Sequence, residues 1–144
     1  MSTANTTCSI LLDALIYRTR KQTLENDTDT LRRLGTSPAE IDDKLAKLMD
    51  AAAAAYRGGI NPNPIVGSVE VMKHSFRDQA PVRCIYCEIK IPQPRIVTIR
   101  NIDTEEEVTL HEMSFHLLWV HHYFGTPQTA HRTDPAKLFR ILST

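Results

Sequence analysis

The chain has 144 residues, of which 42% are hydrophobic and 24% are charged, so it is long enough to bury an ordinary core. Lys plus Arg equals Asp plus Glu at 17 each, and this balance excludes the bulk basic surface that most nucleic-acid binders carry. Only three cysteines are present, two of them separated by two residues, which excludes the disulfide framework of a small secreted domain.

The first sixty residues have helical periodicity. Apolar residues recur at helical spacing from Ile10 to Leu15, and a polar stretch from Thr23 to Thr30 predicts a connection. Asp13 interrupts the apolar run near the N-terminus, which argues against a signal peptide. We also expect no membrane span, because the least charged later stretch contains histidines and a Gly-Thr-Pro break. The predicted location is the cytoplasm.

The clearest local signal begins the second main helix. Ser37 is placed as its N-cap, Pro38 occupies the first helical position, and Glu40 completes a capping box. Gly58 and Gly59 are predicted to end this helix. Its apolar stripe predicts either packing within the chain or dimerisation. An aromatic residue of a later helix either packs against the hairpin or lines a binding face. With it, the stripe forms the predicted interaction face of Ile41, Leu45, Leu48, Ala52 and Trp119.

The period changes after a segment rich in proline and glycine at residues 60–67. Val69 and Val71 alternate with polar residues as in a strand, and residues 95–102 and 107–110 predict a β-hairpin. A helix from about Glu112 to Phe124 follows, and Asp134 is placed to cap a short last helix. The predicted fold is therefore α+β, with a helical region at 1–59 and a smaller β-hairpin and helix unit at 60–144.

Cysteine and histidine are concentrated in this second unit. Cys84 and Cys87 form a C-x2-C pair, whose tight turn can place two thiolates on one metal ion. Five of the six histidines lie between residues 111 and 131. We therefore predict a structural Zn²⁺ site made by the two cysteines and two histidines of the segment 111–122. The alternative interpretation is a pair of buried, inert cysteines beside a helix that binds nothing.

The order of cysteine pair, hairpin and histidine-bearing helix resembles a ββα zinc finger of the C2H2 type, over residues 82–124 only. The resemblance implies that Cys84 and Cys87 ligate zinc from a knuckle, and that His116 and His121 ligate it from the helix. The spacing departs from the family pattern, because 28 residues separate Cys87 from His116 where about twelve are usual. We expect a longer hairpin to contain the surplus.

The choice of histidines stays open at this point. Residues five apart on a regular helix point about 140° from each other, so His116 and His121 need a loosened last turn. His111, at the start of the helix, and His122, on the face of Phe115 and Leu118, are the alternates.

No enzyme motif is complete. His111-Glu112 begins like a metalloprotease H-E-x-x-H motif, but Phe115 occupies the position of the second histidine. We therefore predict a non-enzymatic, zinc-binding module for protein interaction or regulation, whose partner is another protein or a second copy of the chain. The alternatives are a nucleic-acid-binding regulator, which the charge does not support, and a small zinc enzyme with an open coordination position.

Overall fold

The computed structural model describes residues 3–57, 63–74 and 80–143, and it describes side chains from residue 15 onward within those ranges except at 56 and 57. The fold is α+β, as predicted, with two long helices in the N-terminal half. The described helices are α1 (Thr3–Arg33), α2 (Pro38–Arg57), α3 (Glu112–His121) and α4 (Pro135–Leu142). The described strands are β1 (Ile65–Val66), β2 (Val69–His74), β3 (Val82–Arg83), β4 (Lys90–Ile91), β5 (Ile96–Asn101) and β6 (Glu107–His111).

Two antiparallel sheets form among the described residues. The larger has the order β1-β2-β5-β6, and Ile99 of β5 faces Val71 on one side and Val108 on the other. The smaller is a two-stranded ribbon in which β3 pairs only with β4. The predicted hairpin is present as β5 and β6, and Asn101 stabilises its turn by accepting the backbone N–H groups of Asp103 and Thr104.

The main hydrophobic core lies between the larger sheet and the helices. It takes residues from the helices α1, α2, α3 and α4 and from the strands β2, β5 and β6. The core therefore contains residues from both sides of the boundary proposed at residue 59, and the division into two regions stays a prediction. The central residues include Leu31, Ile41, Leu45, Val71, Ile99, Leu138 and Ile141, all fully inaccessible to solvent.

The apolar stripe of α2 packs inside the chain. Ile41, Leu45 and Ala52 are 0% exposed and Leu48 is 6% exposed, because they contact the sheet and α4. The sequence did not distinguish packing within the chain from dimerisation, and in the structure these four residues pack within the chain. They cannot form an interaction face without opening the core. Of the predicted face, Trp119 alone is exposed, at 40%.

The helix α1 is continuous across the predicted connection at residues 23–30, so that prediction is wrong. Thr23 and Asp27 are buried, and Asp27 forms a bidentate ion pair with Arg132 at 2.6 and 2.8 Å. A polar helix face is thereby stabilised by a residue 105 positions away. No helix within the described ranges combines the length and the apolar composition that crossing a membrane requires.

The start of α2 forms one of the two hydrogen bonds of the predicted capping box, and the Glu40 carboxylate has a different partner from the predicted one. The Glu40 backbone N–H donates to Ser37 Oγ at 3.3 Å, and the Glu40 carboxylate accepts the Thr36 hydroxyl at 2.9 Å. The helix begins at Pro38, where the missing N–H is not needed. The predicted end at Gly58 and Gly59 lies outside the described residues.

Candidate metal centre

The turn between β3 and β4 holds the cysteine pair in a tight knuckle. The Cys84 N–H donates to the Ile89 carbonyl at 2.9 Å, and the Glu88 N–H donates to the Cys84 carbonyl at 2.9 Å. The Tyr86 N–H points at Cys84 Sγ, 3.4 Å away. Glu88 closes the turn with a φ of 63°, a left-handed conformation that non-glycine residues rarely adopt. The knuckle thus places the thiols of Cys84 and Cys87 on the same side of the ribbon.

The last turn of α3 is widened, which brings its two histidines together. The backbone N–H groups of His122 and Tyr123 both donate to the Leu117 carbonyl, five and six residues back instead of four. His122 is left-handed, with a φ of 52°. A wider turn rotates less per residue, so the 140° divergence of a regular helix is reduced. The His116 and His121 rings lie 5.0 Å apart, which agrees with the predicted loosened turn.

Four side chains from the knuckle and the helix converge into a candidate metal-binding site. Cys84 Sγ lies 3.3 Å from His121 Nε2, and Cys87 Sγ lies 3.2 Å from His116 Nε2. All four ligand atoms are within 4.8 Å of one another. A tetrahedral zinc ion, with bonds of about 2.3 Å to sulfur and about 2.0 Å to nitrogen, separates its ligand atoms by roughly 3.3–3.8 Å. The donor set fits such an ion, and the two sulfur–nitrogen distances are close to this range.

The surroundings favour the neutral form of His121, which is the form that binds a metal. Burial lowers the pKa of His121, and the positive charge of Arg20 lowers it further. The site has one closed and one open side, since Cys84 is 1% exposed whereas Cys87 is exposed. Cys84 also packs in a second, small hydrophobic cluster with Ile91, Met113 and Leu117.

Arg20 connects α1 to this centre, and the sequence analysis did not identify it. Its Nη2 donates to the His121 carbonyl at 3.2 Å, and its guanidinium lies 4.5 Å from the centre of the Tyr86 ring. The ring of Tyr123 lies 5.9 Å from the same guanidinium and contacts the Tyr86 ring edge-on. Because these partners are all distant from Arg20 in the sequence, no local pattern in the sequence marks it.

The two alternate histidines lie outside the cluster of four. His111 caps α3, where its Nδ1 accepts the Met113 N–H at 2.9 Å, and its ring stacks on His131 at 4.6 Å. His122 points away toward Asp42, with 3.5 Å between Nδ1 and Oδ2. The structure therefore brings together Cys84, Cys87, His116 and His121, the set that the zinc-finger resemblance implied.

The long spacing between the cysteines and the histidines has a structural explanation. Much of the surplus forms a hairpin, that of β5 and β6, but this hairpin is separate from the knuckle. Its strand β5 pairs with β2 in the larger sheet, while the cysteines keep a ribbon of their own. No protein-family model, curated protein or solved structure matches this chain. The resemblance to a C2H2 finger consequently rests on the ligand set and on the order of the elements.

Proposed function

We propose that this protein binds one structural zinc ion through Cys84, Cys87, His116 and His121, and that it acts as a non-enzymatic module for protein interaction or regulation. The observation that carries the proposal is the convergence of two sulfur and two imidazole ligands from elements far apart in the sequence. A tetrahedral set of two thiolates and two imidazoles is typical of structural zinc.

A structural role is favoured over a catalytic one by the number of protein ligands. Catalytic zinc keeps one position for water or substrate, whereas four protein ligands fill a tetrahedral ion. Glu112, the acidic residue of the incomplete metalloprotease motif, is engaged elsewhere, since its Oε1 accepts the Arg95 N–H at 2.9 Å. It is not among the clustered ligands.

A binding role is supported by the apolar side chains on the same elements. Ile85 and Ile89 of the knuckle are 68% and 50% exposed, and Trp119 and Val120 of α3 are 40% and 54% exposed. Zinc would hold these side chains in fixed positions through the ligands beside them, and exposed apolar residues of this kind are typical of interaction surfaces. The proposed partner is another protein or a second copy of the chain.

Metal content tests the ligand assignment, with two adjacent histidines as a matched pair. We expect one zinc per chain by native mass spectrometry of the wild-type protein, and loss of that zinc in His121→Asn. His122→Asn is the control, because His122 faces Asp42 and should keep the metal. A wild-type protein without zinc, or equal zinc content in both variants, would contradict the proposal.

Cobalt substitution tests whether the site is closed. We expect the Co²⁺ form to show the intense visible absorption of a tetrahedral ion with thiolate ligands, unchanged by azide or cyanide. A spectrum that shifts on addition of these anions would reveal an open position and would favour the zinc-enzyme alternative.

A further inference from the structure

A cavity of about 530 Å³ lies beside α3, at the end of the sheet where β2 finishes and β5 begins. Its walls come from four elements: Met49 of α2, the end of β2, the start of β5 with the residues before it, and the first two turns of α3. The volume is in the range of pockets that hold small organic ligands, about 300–1,000 Å³.

The walls of this cavity are partly apolar and partly polar, and Trp119 forms one of the apolar walls. The indole ring packs against Phe115 with 4.9 Å between ring centres, so it is held in place while 40% of the residue stays exposed. Pro94, Ile96 and Val97 contribute further apolar surface from the strand side. A rigid, half-exposed aromatic wall is suited to packing against a flat or aliphatic group of a ligand.

Among the described residues that line the cavity, the charged side chains are those of Lys73, Arg95 and Glu112. The Glu112 carboxylate accepts the Arg95 backbone N–H, whereas the Arg95 guanidinium forms no ion pair with any residue in the described ranges. A guanidinium presents paired N–H donors that match a carboxylate.

We infer that this cavity binds a carboxylate that carries an apolar, preferably aromatic, group, with the apolar part against Trp119 and the carboxylate on Arg95. The carboxylate belongs either to a free organic acid or to the C-terminus of a peptide, and the chemistry at the site is the same in both cases. The inference rests on the proposed binding role, because Trp119 belongs to the predicted interaction face.

Ligand binding in this cavity can be followed by tryptophan fluorescence, since Trp119 is the single tryptophan of the chain. We would titrate the zinc-loaded full chain with 3-phenylpropionate and follow tryptophan fluorescence and the indole N–H resonance. The matched ligands are 3-phenylpropionamide, which is neutral, and 3-phenylpropylamine, which is cationic. An acetylated tripeptide ending in phenylalanine, with a free carboxylate or as its amide, distinguishes a peptide terminus from a free acid.

We expect saturable binding of the carboxylates with dissociation constants of about 1 mM or below, and binding of the amide and the amine at least about tenfold weaker. Arg95→Gln should remove this preference for the carboxylate while leaving the weak apolar binding. Arg33→Gln is the control, because it removes the same charge from α1 at a residue that does not line the cavity.

Two results would overturn the inference. One is a tryptophan signal that does not saturate with either carboxylate, and the other is an equal response to carboxylate, amide and amine. Zinc content, measured on the same samples, separates the two proposals. A zinc-loaded protein that ignores the carboxylates refutes the ligand site alone, whereas a protein without zinc refutes the metal centre.

Discussion

The pair formed by Asp27 and Arg132 shows how much of this fold depends on single side chains. Asp27 is 8% exposed and Arg132 is 21% exposed in their side chains, and the guanidinium also donates to the Gly125 carbonyl at 3.0 Å. The hydrogen bonds that Arg132 donates to the Asp27 carboxylate raise the pKa of Arg132. The pair fastens α1 to the loop that follows α3, so it links the N-terminal helix to the region of the metal centre.

We expect Asp27→Asn to lower the free energy of unfolding by about 2–4 kcal/mol, because it leaves the partly buried Arg132 without a counter-charge. Asp29→Asn is the matched control. Asp29 pairs with the exposed residues Arg32 and Arg33 on the same helix, and its loss should change stability by less than about 1 kcal/mol. Urea unfolding of the zinc-loaded variants measures both values, and equal losses would show that the buried pair has no special role.

At the scale of elements, α3 contributes side chains to both hydrophobic clusters and to the candidate metal site. Phe115 and Leu118 enter the main core, whereas Met113 and Leu117 enter the small cluster behind the cysteines. The intervening positions carry His116 and the exposed Trp119. A helix buried on two faces has little freedom to shift, which explains why its histidines can be held at fixed positions.

The start of α3 should make stability depend on pH. Burial lowers the pKa of His111 first, and the nearby His131 lowers it further, while Glu112 acts in the opposite direction. The folded state therefore prefers the neutral imidazole, whose Nδ1 accepts the Met113 N–H. Its contribution to stability is complete above the ordinary histidine pKa of about 6.5 and is lost as the pH falls from there through the lowered folded pKa.

The variant His111→Asn isolates this effect, since asparagine is also a good N-cap but does not titrate. We expect the free energy of unfolding to fall less between pH 7.5 and pH 5.5 in the variant than in the wild type. Zinc content is monitored at each pH, so that release of the metal is not mistaken for titration of His111. Parallel pH profiles with zinc retained would contradict the assignment.

The elements differ in how far local sequence determines them. The N-terminus of α2 was predictable because Ser37, Pro38 and Glu40 act within four residues of one another. The cysteine pair and the hairpin were predictable for the same reason. The middle of α1 was not, since Thr23 and Asp27 are helical on account of distant packing. The separation of the β3–β4 ribbon from the hairpin depends on the pairing of β5 with β2, which no local pattern encodes.

At the scale of the whole molecule, the structure has two hydrophobic clusters of very different size. Within the part of the chain whose side chains the structure describes, the main core contains 16 buried residues. The cluster around Cys84 contains 4, and two of its members belong to the short ribbon or its turn. An isolated two-stranded ribbon is marginal in water. Under the proposed function, the ribbon would therefore depend on the zinc ion and on the small cluster, whereas the larger sheet and α2 pack on the main core.

We expect removal of zinc to unfold the molecule in parts. In the presence of EDTA, hydrogen exchange should accelerate in residues 82–91 and in the last turn of α3, because these segments lose the ion that joins them. Exchange in α2 and β5 should change much less. Addition of zinc should restore protection. Uniform acceleration along the whole chain would show instead that metal binding and the main core form one cooperative unit.

The separation of the ligands along the chain also sets an order of events during folding. Cys84 and Cys87 are three positions apart, but Cys84 and His121 are 37 apart, and closing the longer loop costs about 2 kcal/mol more chain entropy. A newly made chain that meets zinc should therefore bind it first through the two sulfur atoms. We expect the histidines to join once β5 and β6 have paired and α3 has formed. Completion of the metal's coordination would then mark the moment at which the second half of the chain reaches its native arrangement.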